Sequence, residues 1–242
     1  MRISRIYHPD LLVVDQHVNL TSDAINHLVN VLRAKVGQAI VLFNGDGAEY
    51  CGHLVDVTKR NVVAVVDSKI SLSLESPLNI HLAQGVSRGD RMEWVIQKAV
   101  ELGVTEITPL LTERCGVKLS ADRWLKKHEQ WQKLIISACE QCGRNKLPIL
   151  NQVTHFGDWI KQSTSQIRLT LHPRAEQAFR HIAVPPSGAR LLIGPEGGFS
   201  EHELYLTEEH GFHTIQLGPR VLRTETAAVA AITSLQAIHG DL

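Results

Sequence analysis

Cysteine is scarce in this chain. Cys51, Cys115, Cys139 and Cys142 are the four in 242 residues, too few for a disulfide framework. Cys139 and Cys142 form a CxxC, but no second pair completes a zinc site. They lie in a helical pattern running Trp124, His128, Trp131, Ile135, Ala138, Cys142, so core packing is the expected role and no metal is expected. No stretch approaches the ~18 apolar residues of a spanning helix, and the N-terminal MRISRIYHPD has no apolar h-region. A cytoplasmic protein with no membrane partner is the expectation. Excess charge is lacking too, since 25 basic residues face 25 acidic ones. The whole-chain field therefore marks no nucleic-acid binder, and any such contact must come from local patches. What is present is ordinary for a globular protein: 43% apolar and 21% charged residues, at a length that holds one large domain or two small ones.

Along the chain, Arg2, Arg5, Tyr7 and His8 precede Pro9 in an extended leading segment. Basic and aromatic side chains interleaved this way suit phosphate contact and base stacking; an edge strand with solvated charges is the plainer reading and, from the residues alone, the favoured one. A helix is predicted over 23–34, capped by Thr21 or Ser22, with Leu28, Val31 and Leu32 on one face and Arg33 and Lys35 at its end. From Gln38 to Ile70 the period falls to two. Asn44-Gly45 and Asp46-Gly47 supply hairpin turns, with strands next over 49–58 and 61–66, making a small β-rich module. Ser71 to Pro77 is polar and proline-terminated, which marks a domain boundary with 1–72 on one side and 73–242 on the other. A strand over 79–86, a helix over 90–102 and a strand over 105–111 then make a βαβ unit, hence a parallel sheet. Arg88 and Arg91 leave the first of these strands, and Arg114, Lys118, Arg144 and Lys146 sit near later element ends. Each is a solvated cation by default, yet together they are the best candidates for a nucleic-acid path.

The informative stretch is 191–240. Two strand-loop-helix units succeed one another there, each breaking at glycine and proline. Arg190 to Ile193 stops at Gly194-Pro195-Glu196-Gly197-Gly198, and Ser200 with Glu203 forms a capping box for a helix ending at Gly211. A tight connection explains the capping but not three glycines in five residues, which suit close backbone approach to a flat ligand. The strand from His213 to Leu217 breaks at Gly218-Pro219, and Arg220 and Arg223 precede an alanine-rich helix capped by Thr224. A cation at a helix N-terminus gains nothing locally, so two arginines there suggest either an anionic partner or ion pairs to Glu196 or Glu225. A third strand, Ile167 to Leu171, ends at HPR. Ligands of open α/β sheets gather at such strand ends.

IGPEGGFS, with LGPRVLRTETAAVAAI after it, resembles the C-terminal motif pair of the RsmE family, SPOUT-class methyltransferases acting on N3 of a uridine in 16S ribosomal RNA. RIYHP, SRGDRMEWVIQKAVELGV, ERCGVKL and EQCGRN carry the likeness along the whole chain, in order. The resemblance implies an α/β fold in which an N-terminal PUA-like β-barrel (1–72) that places RNA precedes a SPOUT α/β domain (73–242) with a parallel sheet and a C-terminal trefoil knot. It implies S-adenosylmethionine as cofactor, 16S rRNA within the small ribosomal subunit as partner, and a homodimer. It assigns the cofactor pocket to Leu171, His172, Leu192, Gly194, Glu196, Gly198, Leu217, Gly218, Leu222 and Arg223.

Methylating N3 of uracil requires loss of the N3 proton and stabilisation of charge on the carbonyl oxygens, without a metal. Arg223 is the first choice for the second task; Glu196, Glu225 and His172 are candidates for the first. Arg2, Arg5, Tyr7, Arg33, Arg88, Arg91, Arg114, Lys118 and Arg144 are the candidate RNA contacts. Two other classes fit the same residues: an rRNA-binding assembly factor with this fold and no turnover, and a nucleotide-binding α/β enzyme on a small molecule.

Overall fold

A computed structural model describes residues 3–173, 175, 177–179 and 182–242. They form two compact units, one of residues 1–75 and 136–147 and the other of residues 76–135 and 148–242. Arg2, a candidate RNA contact, lies outside the described residues.

The first unit is built on strands β1 (Ser4–Tyr7), β2 (His17–Asn19), β3 (Ala39–Phe43), β4 (Ala48–Val57) and β5 (Val62–Ser71). They form a five-stranded sheet in the order β1-β3-β4-β5-β2, in which only the β1–β3 pair is parallel. The small sheet expected between Gln38 and Ile70 is therefore present, with two strands added from the leading segment. The β3–β4 hairpin turns through Gly45 and Gly47, both at positive φ, as the Asn-Gly and Asp-Gly pairs predict. Alternating inward residues such as Ile40, Leu42, Tyr50, Leu54, Val62 and Ala64 close one apolar core. Where β4 slips register at Cys51/Gly52, a side chain on Gly52 would meet the Val65 carbonyl oxygen at 2.0 Å, so glycine is what lets the bulge form.

The predicted helix over 23–34 is shorter and irregular. Helix α1 (Ser22–Asn26) starts at Thr21, whose hydroxyl accepts from Ala24 N–H at 3.3 Å, and then widens into a π-helical turn at His27–Val31. The wider turn rotates its last residues off the buried face. Leu28 is fully buried, whereas Val31 and Leu32 are exposed, and Arg33 adopts φ +52°.

The second unit contains β6 (Ile80–Gly85), α2 (Arg91–Glu101), β7 (Glu106–Leu111), most of α3 (Ala121–Cys142), β8 (Ile149–Leu150), β9 (Thr154–His155), α4 (Phe156–Trp159), β10 (Ile167–Leu171), β11 (Gln177–Ala178), β12 (Ala189–Ile193), α5 (Glu201–Glu209), β13 (His213–Gln216) and α6 (Thr224–His239). Its strands run in the order β11-β13-β10-β12-β6-β7-β8, with β9 also on β7, and every pairing is parallel. The expected parallel sheet is thus observed, and β6 and β12 are buried throughout, as strands covered on both faces must be. Ala83, Leu110 and Leu192 pack under α4 and α5 with Phe156, Trp159, Phe199 and Phe212. Helices α2 and α6 pack together, and α6 also packs on β12. The chain goes from β10 to β12 on one side and returns to β13 on the other. That reversal is a topological switch point, where α/β sheets bind ligands.

Candidate active site

At the carboxyl ends of β10, β12 and β13 lies a cavity of about 460 Å³, within the range that holds small ligands. Its apolar lining comes from Ile193, Phe199, Ile215, Leu217 and Leu222, and its polar lining from His172, Glu196, Thr224, Glu225 and the arginines 91, 114, 220 and 223. Leu171, His172, Gly194, Glu196, Gly198, Leu217, Gly218, Leu222 and Arg223 all line it. Leu192 does not. It is fully buried in the apolar layer beneath α4 and α5, because strand residues alternate faces and Ile193, one position on, ends toward the cavity.

Three chain segments are fastened together beside the cavity. The Gln84 amide, fully buried, donates to Thr224 Oγ1 at 2.9 Å and to the Gly85 carbonyl at 3.0 Å; Thr224 Oγ1 donates to the Gly194 carbonyl at 2.5 Å. The end of β6, the loop after β12 and the start of α6 are thereby clasped. The approach is close enough that a side chain on Gly85 would meet the Pro195 nitrogen at 2.6 Å. Thr224 is accordingly not the N-cap. That position belongs to Arg223, in extended conformation and with no capping hydrogen bond, and the Thr224 hydroxyl is spent on the clasp instead. Gln84 is not among the site residues predicted from the motifs; a lone glutamine inside an apolar strand is the signal that marks it.

The ion pairing differs from the simple expectation. Glu196 is bound by Arg91 at 2.8 Å and by the Arg88 N–H at 2.9 Å, and Arg91 Nε lies 3.9 Å from Glu225. Burial alone would raise the Glu196 carboxyl, but backbone N–H donors and the Arg91 guanidinium outweigh it and hold it below the usual carboxylate range. Among the described residues, Arg220 and Arg223 have no ion-pair partner. Both are exposed at the rim, which leaves two cations available to something outside the chain. Glu225 Oε2 is buried without a hydrogen-bond partner among the described residues.

The chain matches a family described as RNA methyltransferase domain over residues 74–236, and a second, RNA methyltransferase PUA domain, over residues 20–67. Ribosomal RNA small subunit methyltransferase E of Buchnera aphidicola (from Schizaphis graminum) is 37% identical over 242 residues, spanning 100% of this chain and 98% of the relative. The chain belongs to the ribosomal RNA small subunit methyltransferase E family. The family member from Neisseria gonorrhoeae, solved bound to S-adenosyl methionine, superposes with a TM-score of 0.93 at 38% identity, with 100% of each chain covered. A Legionella pneumophila protein solved with its cofactor SAM gives 0.97 at 46%, again with both chains covered in full. The PUA-like sheet and the parallel sheet are therefore the family's architecture.

Family membership does not make every cation an RNA contact, and two of the nine candidates have their guanidinium groups engaged within the first unit. Arg5 is bonded to Glu49, to Asn145 Oδ1 at 2.7 Å and to the Gly143 carbonyl at 2.9 Å, and its guanidinium stacks 5.3 Å from the Phe43 ring centre. Arg144 is only 4% exposed and holds Glu75 through Nη2 at 2.6 Å and Nε at 3.1 Å. With Asn145 donating to the Leu72 carbonyl at 3.0 Å, these bonds explain the EQCGRN motif: it knits residues 143–145 into the first unit. Tyr7 lies edge-on to Phe43, and its N–H donates to Glu140. Arg33, Arg88, Arg114 and Lys118 are exposed; Arg91 and Arg114 also line the cavity. In the CxxC, Cys139 is buried in the core, which pushes its thiol up to about 12, leaving a poor nucleophile.

Proposed function

We propose that this protein transfers a methyl group from S-adenosylmethionine to N3 of a uridine in small-subunit ribosomal RNA, as a cytoplasmic homodimer. The carrying observation is the cavity at the carboxyl ends of β10, β12 and β13, where Arg220 and Arg223 stand at the rim with no ion-pair partner among the described residues. No helix among the described residues is long and apolar enough to cross a membrane.

The residues present fit the cofactor. An apolar wall suits a flat adenine, Gly194 and Gly198 admit a ligand against the backbone, and the buried, unpartnered Glu225 oxygen suits a group that carries positive charge. When bound, S-adenosylmethionine supplies an electrophilic methyl on a cationic sulfur. We infer that the three loops holding it are threaded as a trefoil knot, and that the first unit presents the RNA.

In the chemistry we propose, Arg223 sits at the start of α6 and opposes charge as it spreads to the uracil carbonyl oxygens. A carboxylate accepts the N3 proton, N3 then bonds to the methyl carbon, and the carbon–sulfur electron pair departs with sulfur. Glu225 suits the first step better than Glu196. Glu196 is engaged by Arg91 and Arg88 and held acidic, whereas one oxygen of Glu225 is uncommitted. Arg91 and Glu196 then serve to tie the loop after β6 to the loop after β12.

Mass spectrometry of 16S rRNA from a strain lacking the gene tests the reading. Complementation with the wild-type chain restores a methylated uridine, and complementation with Arg223→Ala does not. Unmodified uridine after wild-type complementation would leave a non-catalytic assembly role in its place.

A further inference from the structure

A second cavity, of about 480 Å³, lies in the same unit against the loop after β7. Its lining includes the aromatic rings of Trp124 and Phe156 together with Lys118, His155 and His202. Two acids also line it. Glu203 is only 2% exposed and both its oxygens are used, one accepting from Ser200 N–H at 2.9 Å and the other from Glu113 N–H at 2.9 Å. Glu113 is exposed.

This cavity adjoins the first. Arg114 lines the first while its neighbours Glu113 and Cys115 line the second. The rings of Phe199, on the first, and Phe156, on the second, are 5.8 Å apart between centres. The loop at residues 113–115 and the Phe156–Phe199 pair thus contribute to both cavities, and the proposed methyl-transfer site has beside it a pocket lined by aromatic rings and an exposed lysine. Those are the two elements by which proteins hold unpaired nucleotides: a surface for the base and a positive charge for the phosphate.

We infer that this second cavity holds an unpaired nucleotide of the RNA substrate next to the target uridine, with its base against Trp124 and its phosphate against Lys118. The inference rests on the proposed function and adds a specificity subsite to it. A target presented to a site of this kind must leave its stack, and a neighbour gripped in a second pocket holds the strand open while it does so.

Steady-state methylation by the intact protein, on naked 16S rRNA and on assembled small subunits, tests the subsite alongside calorimetric titration with S-adenosylmethionine. Lys118→Glu and Trp124→Ala are expected to raise the KM for both RNA substrates about tenfold or more, with cofactor Kd unchanged. Trp124→Phe, which keeps a ring, is expected to stay within about threefold of wild type. Lys118 is exposed, so its replacement tests the idea even if loss of Trp124 from its contact with Trp131 unsettles α3. Unchanged KM for Lys118→Glu overturns the subsite while leaving the methyltransferase reading intact. A defect confined to assembled subunits also overturns it, since that outcome points to a ribosomal protein as the occupant. Wild-type protein that methylates neither substrate fails at the earlier step and sinks the proposed function itself.

Discussion

Replacing Thr224 by valine keeps the shape of the side chain and deletes only its hydroxyl. In the clasp that hydroxyl donates to the Gly194 carbonyl and accepts from the Gln84 amide, and Gln84 is fully buried. Valine leaves both partners short of a bond where no water reaches the amide, so the expected cost is about 1–3 kcal/mol. Gln84→Leu removes the amide but leaves Thr224 able to donate to Gly194, and should cost about 1 kcal/mol. In the double variant the stranded amide is gone, so the loss falls short of the sum of the single losses by about 1 kcal/mol. Urea unfolding monitored by tryptophan fluorescence measures all four species. Because the clasp also fixes the loops around the cavity, Thr224→Val should weaken S-adenosylmethionine binding about tenfold by calorimetry. Single losses that add to within about 0.3 kcal/mol, with unchanged cofactor affinity, would mean the three bonds act independently and the clasp does not exist as a unit.

The same geometry sets other outcomes. Arg223→Ala should lower turnover at least about a hundredfold while changing cofactor Kd less than about threefold; equal losses in both would remove it from the chemistry. Glu225→Gln should depress kcat more steeply than Glu196→Gln, and the reverse order in single-turnover assays would exchange their roles. His81 is 2% exposed, and burial, helped by Arg190 against the pull of Glu106, pushes its imidazole down to about 4 from an ordinary 6.5. Between those values the unfolded chain takes a proton that the folded chain refuses. Stability is therefore unaffected above pH 6.5 and falls as pH drops toward 4, by about 3 kcal/mol at most; unfolding midpoints of wild type and His81→Gln should converge across that window. Arg144→Ala strands Glu75 and should destabilise the protein by about 3 kcal/mol. A lowered RNA affinity at undiminished thermal stability would instead restore Arg144 to the RNA path.

Where a signal is local, sequence and structure agree. The capping box of Ser200 and Glu203 is observed with both of its bonds, since its partners are three residues apart. The strand from Ile167 to Leu171 ends where its apolar run ends, and the glycine and proline breaks do lie at the cavity. Where the partner is remote, a cation's role is hidden. Nothing near Arg144 announces Glu75, 69 positions earlier, and nothing near Arg5 announces Asn145, 140 positions later. The same blindness hides Gln84, whose chemistry is set by a threonine that the local pattern casts as a helix cap. Val31 and Leu32 differ for another reason: a regular helical period cannot foresee a π-helical turn.

The bond between Gln84 and Thr224 joins residues 140 positions apart, and this has a bearing on the protein's own synthesis. A nascent chain emerging at about 5–20 residues per second exposes β6 well before the segment that completes the cavity has been translated. Until that last helix leaves the exit tunnel there is no pocket for a ligand to stabilise, so early folding must succeed unaided. Messages cut short before codon 224 should yield chains that bind no methyl donor at any concentration, however much of the sheet they manage to assemble.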